Sequence, residues 1–566
     1  MVRHASKIIS LLLFAAMAGQ VMAGQTQENE KTGYQAAVAS AHPLATAAGI
    51  EILKNGGNAF DAAVAVSAAL AVVEPYGSGL GGGGFWLLHI AKERHDVMID
   101  GRERAPLAAS RDMYLDEKGN VIDGASITGP LAAGIPGSVA ALEHLSSQYG
   151  TLPLSTNLAA AIRYARDGFA VSEHYRKMAG HRLTALQASF DAAEIFLRDD
   201  RVPELGEMIT QPDLADTIEL IAKDGSKAFY TGKLAENMVA SVNAHGGKWS
   251  MQDLAEYKVV ERAPEVIVYK GMRLVTASPP SSGGPALTEM LNMLSFFNVE
   301  KMQPVDRIHV LTEVMRRAYR DRAEYLGDPD FVDVPTDMLA SSVYTNQLVK
   351  SIDRRKATPS ATLKPVGDPM GPATDTTHFS IIDAAGNRVS ATMSINYPFG
   401  SGFVAEGTGI LLNDEMDDFS IKPGVPNAYG LVGAEANAIE PGKRMLSSMS
   451  PSFLETRDRV AILGTPGGSR IITMVLLSML DFYQGGDAKS MAGLGRFHHQ
   501  YLPDKIVFEP GVFKGDVSKA LTAMGHQVEE LSSTYGNMQV VISHKKDGHT
   551  EAASDPRGDG EAVVLH

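Results

Sequence analysis

Residues 372–396, "PATDTTHFSIIDAAGNRVSATMSIN", contain the pattern on which the fold assignment depends. The stretch from Thr376 to Ile382 is rich in β-branched and aromatic residues, which favours a strand. Val389 to Ile395 alternates apolar with small polar residues, as a strand with two unlike faces does. The intervening Asp383-Ala384-Ala385-Gly386-Asn387 has the composition of a turn. The sequence therefore predicts a β-hairpin, and a hydroxyl pair, Thr376-Thr377, stands at its start.

The position of Thr376 is compatible with a nucleophile. If Asp383 and Arg388 close the turn, Thr376 lies opposite the stretch Ser394 to Asn396. A Thr hydroxyl needs an adjacent base, and the residue's own α-amine, with a pKa near ~8, is one when the residue begins a chain. A Pro/Thr/Gly-rich connector between Lys350 and Asp375 precedes it and offers a place for a cut. A hydroxyl-rich strand without chemistry is the ordinary alternative.

The chain alternates between helical and β textures. Helical periodicity dominates from Ala37 to about Tyr325, and strand patterns dominate after the connector. Strands bracketed by helices on both sides predict stacked α and β layers. The clearest predicted helices are Pro43 to Leu53, Asn58 to Glu74, Pro136 to Tyr149, Ser155 to Asp167, Val305 to Leu326 and Arg470 to Tyr483.

The N-terminus has the features of an export signal. A basic start is followed by an apolar run of 11 residues, Ile8 to Ala18, and by small residues ending at Ala23. This pattern predicts a signal peptide over residues 1–23 and a periplasmic or secreted mature protein; an uncleaved anchor is the alternative. The apolar stretch Ala62 to Val73 is too short for a membrane span and predicts a buried helix.

Composition excludes several classes of function. The chain has 566 residues, a formal net charge of −15 and no cysteine. Without cysteine it has no disulfide scaffold, thiolate metal site or cysteine nucleophile. So acidic a protein is not expected to bind nucleic acid or an anionic membrane surface. The length favours several domains or one large layered domain.

Four further motifs allow a structural and a functional interpretation. "GSGLGG", residues 77–82, lies between a predicted helix and a predicted strand, which favours a tight turn over a dinucleotide loop. His498-His499 lacks metal-ligand spacing and predicts a structural role. The glycines of "TPGGSR", residues 465–470, precede a helix and either cap it or present N–H groups to an oxyanion. The acidic "NDEMDDF", residues 413–419, would by itself be a solvated loop.

Taken together, the motifs resemble those of the γ-glutamyltransferase (γ-glutamyltranspeptidase) family of the N-terminal-nucleophile hydrolases. The resemblance extends over nearly all of the chain after the signal, with the motifs in the same order. The segments that carry it are "DGRERAP", "GSGLGGGGF", "SPPSSGG", "TTHFSIID", "FGSGFVAEGTGILLNDEMDDFS", "KPGVPNAYGLVG", "KRMLSSMSP", "GTPGGSRI" and "RFHHQYLPD".

The resemblance implies an α/β fold, a four-layer αββα sandwich built from two fragments of one precursor. It implies self-cleavage between Asp375 and Thr376 into a large subunit, 24–375, and a small subunit, 376–566, which form one intertwined domain. Thr376 would then attack the γ-amide of glutathione or another γ-glutamyl compound, and the ester would pass to water or to an amino acid or peptide acceptor. Neither a cofactor nor a metal is implied.

The resemblance also assigns roles to individual residues. Those near the reacting carbonyl are the oxyanion-hole glycines Gly467 and Gly468 and the positioning hydroxyls of Thr377 and Ser394. The residues expected to bind the donor's α-carboxylate are Arg102, Ser447 and Ser448. The residues expected to bind the donor's α-ammonium are Asp418, Glu415 and Asn396. Tyr429 matches the loop that covers the pocket in some bacterial members.

Three positions depart from the common pattern. Ser394 stands where many members have Thr, Asp414 where many have Asn, and Gly101 where an aromatic residue is common. Asp414 adds a negative charge of open effect, and Gly101 leaves the acceptor-side packing open. Two other functions remain alternatives: an acylase for glutaryl or similar β-lactam side chains, and a non-enzymatic periplasmic binding protein.

Overall fold

The computed structural model describes residues 33–363, 376–427 and 429–565. The predicted signal peptide, residues 1–23, and Asp375 lie outside the described residues, as does the connector from residue 364 onward. Residues Tyr34–His566 form one unit.

The strands of the described residues are short. In chain order they are β1 (Ala37–Ser40), β2 (Gly83–Ile90), β3 (His95–Asp100), β4 (Phe169–Ala170), β5 (Met208–Ile209), β6 (Val260–Arg262), β7 (Glu265–Tyr269), β8 (Met272–Thr276), β9 (Thr377–Ile382), β10 (Arg388–Ser394), β11 (Val404–Ala405), β12 (Ile410–Leu411), β13 (Ser452–Glu455), β14 (Arg459–Gly464), β15 (Phe497–His498), β16 (Ile506–Phe508), β17 (Val528–Glu530), β18 (Gln539–His544), β19 (Thr550–Ser554) and β20 (Glu561–Val564).

The helices include all six predicted from periodicity, with ends that coincide or differ by at most two residues. In chain order they are α1 (Pro43–Lys54), α2 (Ala59–Val73), α3 (Ser138–Gln148), α4 (Leu154–Asp167), α5 (Glu173–Gln187), α6 (Phe190–Phe196), α7 (Pro212–Asp224), α8 (Lys227–Tyr230), α9 (Lys233–Ala244), α10 (Met251–Ala255), α11 (Gly283–Leu294), α12 (Pro304–Tyr325), α13 (Thr336–Ala340), α14 (Ser342–Lys350), α15 (Ile471–Tyr483), α16 (Ala488–Gly493) and α17 (Val517–Ala523).

The predicted hairpin, β9–β10, lies in the middle of a seven-stranded sheet. The strand order is β20-β1-β9-β10-β2-β3-β6, so strands from the first part of the chain flank the hairpin on both sides. Thr377 pairs with Met393 and Ile382 with Arg388. This register confirms that Thr376 lies at the level of Ser394.

A second, six-stranded sheet, β19-β18-β14-β13-β8-β7, packs on the first. Residues of β9 and β10 with even numbers face it, because alternate side chains of a strand point to opposite faces. The Ser380 hydroxyl donates to Gln539 O at 3.1 Å, and the Ser390 hydroxyl donates to Leu463 O at 3.0 Å. These contacts make the central part of the sheet interface polar.

Helices cover the outer faces of both sheets, which gives the predicted four-layer αββα arrangement. Odd-numbered hairpin residues such as Phe379 and Ala391 belong to a core shared with α1 to α4. The second core joins the sheets to α11, α12 and α15. Helix α2 is buried along its whole length, as its apolar sequence predicts. In the part of the chain that the structure describes, no helix is long and apolar enough to cross a membrane.

The hairpin turn is held by the buried carboxylate of Asp383. Its Oδ1 accepts hydrogen bonds from the backbone N–H groups of Ala385 and Asn387, both at 2.9 Å. Its Oδ2 accepts from Asn387 Nδ2 at 2.7 Å and from the N–H of Ala59 at 3.0 Å. Ala59 is the first residue of α2, so one carboxylate closes the turn and ties it to the helix layer.

We expect Asp383→Ala to lower the free energy of unfolding by about 3 kcal/mol, because it leaves several buried N–H groups without an acceptor. The measurement is the shift of the urea midpoint relative to the wild type. Asp216→Ala is the matched control, since the Asp216 side chain is 70% exposed. Equal midpoint shifts for the two variants would contradict a structural role of the Asp383 carboxylate.

Candidate active site

Thr376 stands immediately before β9, at the edge of the interface between the two sheets. The pleat places its side chain on the face shared with His378 and Ser380, towards the second sheet. Thr376 Oγ1 lies 3.3 Å from Ser394 Oγ, on the adjacent strand. The predicted pairing of these two hydroxyls is therefore confirmed.

The chain leaves β10 through a left-handed residue, Asn396, with φ 74°. Asn tolerates this conformation better than most residues, and the position is made stable by its contacts. The N–H of Asn396 donates to Ser394 Oγ at 2.8 Å, and its Nδ2 donates to Asp414 O at 2.9 Å. The bend thereby orients the Ser394 hydroxyl beside Thr376.

Arg102 follows the end of β3 and is buried. Each of its five N–H donors meets an acceptor: Nε meets Met445 O, Nη1 meets the carboxylates of Glu103 and Glu415, and Nη2 meets Asp418 Oδ2 at 2.6 Å and Leu446 O. Burial alone would lower the pKa of Arg102, but Glu415, Glu103 and Asp418 outweigh it and raise that pKa. The guanidinium is thus permanently charged and saturated with protein acceptors.

The three carboxylates around Arg102 are destabilised as anions. Burial raises the pKa of Asp418 and of Glu103, and raises the pKa of Glu415 to about 7, despite the attraction of Arg102. Three carboxyl groups surround one guanidinium, so the acidic groups outnumber the basic one. It can therefore accept the ammonium of an incoming α-amino acid moiety.

The tandem serines Ser447 and Ser448 are held by the "SPPSSGG" turn. Ser447 N donates to Pro280 O at 2.9 Å, and the N–H and hydroxyl of Ser282 both donate to Ser447 O, at 2.7 and 2.6 Å. Gly283 is required for this approach, because a Cβ there would lie 2.2 Å from Ser450 Oγ. The turn thereby holds the backbone of Ser447, and both serines line the same cavity as Arg102.

Gly467 and Gly468 follow β14 and begin the turn that leads into α15. Their φ angles, 136° and 53°, lie in the region that favours glycine. The turn presents backbone N–H groups at the start of a helical segment, where anions are stabilised. Below the turn, the Tyr319 hydroxyl donates to Ser469 O.

The loop containing Tyr429 reaches over the site. The Tyr429 hydroxyl donates to Asn396 O at 2.9 Å. Gln500 Nε2 donates to the carbonyls of Tyr429 and Gly430, and Gln500 Oε1 accepts from the Ser469 hydroxyl at 2.7 Å. One amide therefore joins the covering loop to the glycine turn.

These elements enclose a small cavity of about 290 Å³ of empty volume, mouth included. Ten of its lining residues are ones that the sequence singles out: Arg102, Thr376, Ser394, Asn396, Glu415, Asp418, Tyr429, Ser447, Ser448 and Gly468. Gly467 and Thr377 are not among the lining residues. The pleat turns Thr377 towards the helix layer, and its buried Oγ1 has no hydrogen-bond partner among the residues that the structure describes.

Arg322 and Gln500 are residues of the site that the sequence does not reveal. Arg322, on α12, donates from Nη2 to Ser448 Oγ at 3.2 Å. It lies in a long helix rich in arginine, where nothing in the local pattern distinguishes it. Gln500 directly follows the pair His498-His499, the motif that invites a metal interpretation.

The histidine pair has a structural role, as the sequence predicts. His498 contacts Thr473 and Gln500, and His499 contacts Asp504. Burial lowers the pKa of His498 to about 3 and that of His499 to about 4, so both are neutral.

One other group of side chains has donor atoms close enough to hold a metal ion, within the described ranges: His309, Glu313 and His526. The Glu313 carboxylate already accepts from Arg317 Nη1 at 2.7 Å and from Thr358 N at 3.0 Å. His309 Nδ1 lies 2.7 Å from His526 Nε2, within hydrogen-bond distance. These contacts join the group in a buried hydrogen-bond network, in which His526 Nδ1 has no partner among the described residues.

Asp414, whose charge the sequence leaves open, is fully buried behind the site. Its Oδ1 accepts from Tyr397 N at 2.9 Å, while its Oδ2 has no hydrogen-bond partner in the described part of the chain. Burial raises the pKa of Asp414 well above its usual range, with only partial opposition from Arg182. The raised pKa favours the protonated, uncharged carboxyl of Asp414 in the folded protein.

We expect Asp414→Asn to stabilise the protein, and more so as the pH rises. In the unfolded wild type the Asp414 carboxyl ionises above about pH 4, whereas in the folded protein it stays protonated up to its raised pKa. Between these two pKa values the free energy of unfolding falls by about 1.4 kcal/mol per pH unit. The variant lacks this loss. The measurement is the difference in melting temperature between variant and wild type at about pH 5 and about pH 7.

Asp112→Asn is the control, since the Asp112 side chain is 72% exposed. Its difference from the wild type should not change with pH. An Asp414→Asn difference that is equal at both pH values would contradict the neutral state of Asp414.

Comparison with known proteins supports the same family as the motifs. The sequence model described as gamma-glutamyltranspeptidase matches residues 45–565. The chain is 42% identical over 528 residues to the glutathione hydrolase proenzyme of Escherichia coli K12, covering 92% of this chain and 90% of that protein. It is 43% identical to the proenzyme of Pseudomonas aeruginosa, covering 94% of each.

Solved structures agree. The fold is similar to a cephalosporin acylase from Bacillus halodurans, with a TM-score of 0.82 and 28% identity over 96% of this chain and 98% of that one. It is also similar to the gamma-glutamyltranspeptidase of Helicobacter pylori, with a TM-score of 0.57 and 38% identity over 60% of this chain and 97% of that one. The chain belongs to the gamma-glutamyltranspeptidase family.

Proposed function

We propose that the protein hydrolyses glutathione and other γ-glutamyl compounds and transfers their γ-glutamyl group, using Thr376 as the nucleophile. The observation that carries the proposal is the Thr376–Ser394 hydroxyl pair in the lining of a cavity. The same cavity contains a glycine turn, Gly468, on one side and the charged group of Arg102 and Asp418 on the other. A hydroxyl, an oxyanion site and an α-amino acid pocket are the parts this reaction needs.

Maturation would create the base that Thr376 requires. In the proposal the Thr376 hydroxyl attacks the carbonyl carbon of Asp375, the peptide C–N bond breaks and an ester forms. Water then hydrolyses the ester, which leaves a large subunit, 24–375, and a small subunit, 376–566. The new α-amine has a pKa near ~8 and can take the hydroxyl proton in later cycles.

In the catalytic cycle Thr376 Oγ would attack the γ-carbonyl carbon of the donor while the α-amine of Thr376 takes the proton. Negative charge develops on the carbonyl oxygen, and the N–H groups at Gly467 and Gly468 would stabilise it. The C–N bond breaks, the leaving amine takes the proton, and a γ-glutamyl ester remains. Water or an acceptor amino group then releases Thr376 in the reverse sequence.

The charged groups of the cavity match the other end of the donor. The α-ammonium would insert between Asp418 and Glu415, beside Asn396, where the carboxylates outnumber the cation. The α-carboxylate would meet Arg102 and the Ser447 and Ser448 hydroxyls. A zwitterion thus enters a group that already contains both signs of charge, so no net charge is buried without a partner.

An acylase for glutaryl side chains is the second candidate, and the similarity to cephalosporin acylase favours it. A glutaryl group has no α-ammonium. Arg102 balances one of the three carboxyl groups Glu103, Glu415 and Asp418, and a glutaryl substrate would leave the remaining acidic groups without a further cation. The acidic residues therefore favour γ-glutamyl donors. The cavity also contains the Thr376–Ser394 hydroxyl pair, which a non-enzymatic binding protein does not need.

The proposal extends to location and partners. The predicted signal peptide supports a periplasmic or secreted enzyme. The interleaving of the two chain segments in one sheet supports a stable pair of subunits from one precursor. The acceptor is water, an amino acid or a peptide, and nothing in the proposed chemistry uses a cofactor.

We expect Thr376→Ala to abolish self-cleavage, because it removes the attacking oxygen. On a denaturing gel the wild type should give two fragments and the variant one chain of 60.4 kDa if the signal is retained. Thr362→Ala, an exposed hydroxyl upstream of the junction, should be cleaved like the wild type. A fully active wild-type protein that consists of a single uncut chain would refute the maturation step.

We expect Asp418→Asn to reduce kcat/KM for a γ-glutamyl anilide by about 30- to 300-fold, since an amide attracts the α-ammonium less than a carboxylate does. Self-cleavage should remain complete, because that reaction has no α-ammonium to bind. Asp417→Asn is the matched neighbour, as Asp417 accepts from the Ser126 hydroxyl outside the cavity. Unchanged kinetics of Asp418→Asn would exclude this pocket as the donor site.

A further inference from the structure

Arg322 is a buried cation close to the proposed donor pocket. Its Nε donates to Ser282 Oγ at 2.9 Å and its Nη2 to Ser448 Oγ at 3.2 Å. No ion pair within 4.0 Å joins it to a carboxylate of the described residues, and its side chain is 6% exposed. Its hydrogen bonds go to hydroxyls, and Asp418 attracts it without forming an ion pair. Such a buried guanidinium is costly unless an anion approaches it at some stage of function.

The other arginine of the pocket, Arg102, is not available to an incoming anion in the same way. All five of its N–H groups are taken by protein acceptors, three of them on the carboxylates of Glu103, Glu415 and Asp418. An incoming carboxylate reaches Arg102 only by displacing an existing partner. Arg322 is attracted by Asp418, which Arg102 already holds, so Arg322 is the less compensated of the two cations.

Ser448 connects Arg322 to the cavity. It lines the cavity, whereas Arg322 stands behind it. The Ser448 oxygen accepts from Arg322, and within the described residues its own proton has no protein acceptor. A hydroxyl that accepts from a cation becomes a stronger donor, since the charge polarises the O–H bond. Through Ser282, which donates to Ser447 O, Arg322 also supports the neighbouring serine.

We propose that Arg322 is a positioning residue that orients the Ser448 hydroxyl towards the donor's α-carboxylate and supplies the positive charge behind it. This inference rests on the proposed γ-glutamyl function and adds a residue that decides specificity. In the complex the Ser448 proton is donated to the carboxylate, and Arg322 lies one hydroxyl away from the anion. Donors that carry an α-carboxylate are thereby selected over donors in which that group is neutral.

The test compares two donors, a γ-glutamyl anilide and the analogue whose α-carboxylate is replaced by a carboxamide. We expect Arg322→Gln to raise KM for the carboxylate donor by about 10- to 100-fold with kcat within about threefold. KM for the carboxamide donor should change by less than about twofold, because its neutral group gains little from the charge. Arg322→Lys, which keeps the charge and loses the two-serine contact, should give an intermediate KM.

Arg320→Gln is the matched control on the same helix. Arg320 binds Asp321 and Tyr344, away from the cavity, so the ratio of kcat/KM for the two donors should equal that of the wild type. The double variant Arg322→Gln, Ser448→Ala tests the route of action. If Arg322 acts through Ser448, the two losses are not additive, and the double variant is about as impaired as the worse single variant.

The outcomes separate this inference from the proposed function. Wild-type turnover of the γ-glutamyl anilide tests the function, and its absence would refute that function. With an active wild type, a folded and self-cleaved Arg322→Gln whose donor ratio is unchanged would overturn the role of Arg322. If Arg322→Gln does not fold, Arg322→Lys decides: KM for the carboxylate donor unchanged from the wild type would overturn the inference.

Discussion

The insertion of one hairpin into the centre of a sheet is the constraint on which the structure depends. β9 pairs with β1, and β10 pairs with β2. Strands that precede the proposed cut therefore alternate in one sheet with strands that follow it. Neither segment can complete the hydrogen bonds of this sheet alone. The arrangement explains how a chain opened before Thr376 would remain one folded body, since the sheet and both cores are shared by the two segments.

The same hairpin determines which hydroxyl reaches the cavity. Strand pleating sends alternate side chains to opposite faces, so Thr376 and Ser394 face the second sheet whereas Thr377 faces the helices. A shift of one residue in register would exchange these faces. The Asp383 carboxylate, which holds the turn and the first residue of α2, secures that register at the other end of the hairpin.

The charges of the cavity are distributed unevenly between two arginines. Arg102 is neutralised by the protein, and it organises the acidic residues into a site suited to an ammonium. Arg322 is left with hydroxyl partners, and its charge is available through Ser448 to an anion. Together they form a pocket with two poles, which is the complement of an α-amino acid. Burial raises the pKa of Asp414 and so disfavours a further negative charge behind this pocket.

Local periodicity and turn composition depend on residues that are close together in the chain. The hairpin, the six helices and the turn character of residues 77–82 were therefore predictable from the sequence. The motif order was sufficient for the family and for ten residues of the cavity. Contacts between distant residues were not accessible in this way. Arg102 meets Glu415 and Asp418 across 313 and 316 residues, and Arg322 meets Ser448 across 126. By itself the sequence determined which side chains are available and on which strand or helix they lie. Only the tertiary structure decided which cation is neutralised and which remains available, because charge compensation depends on distance in space rather than along the chain.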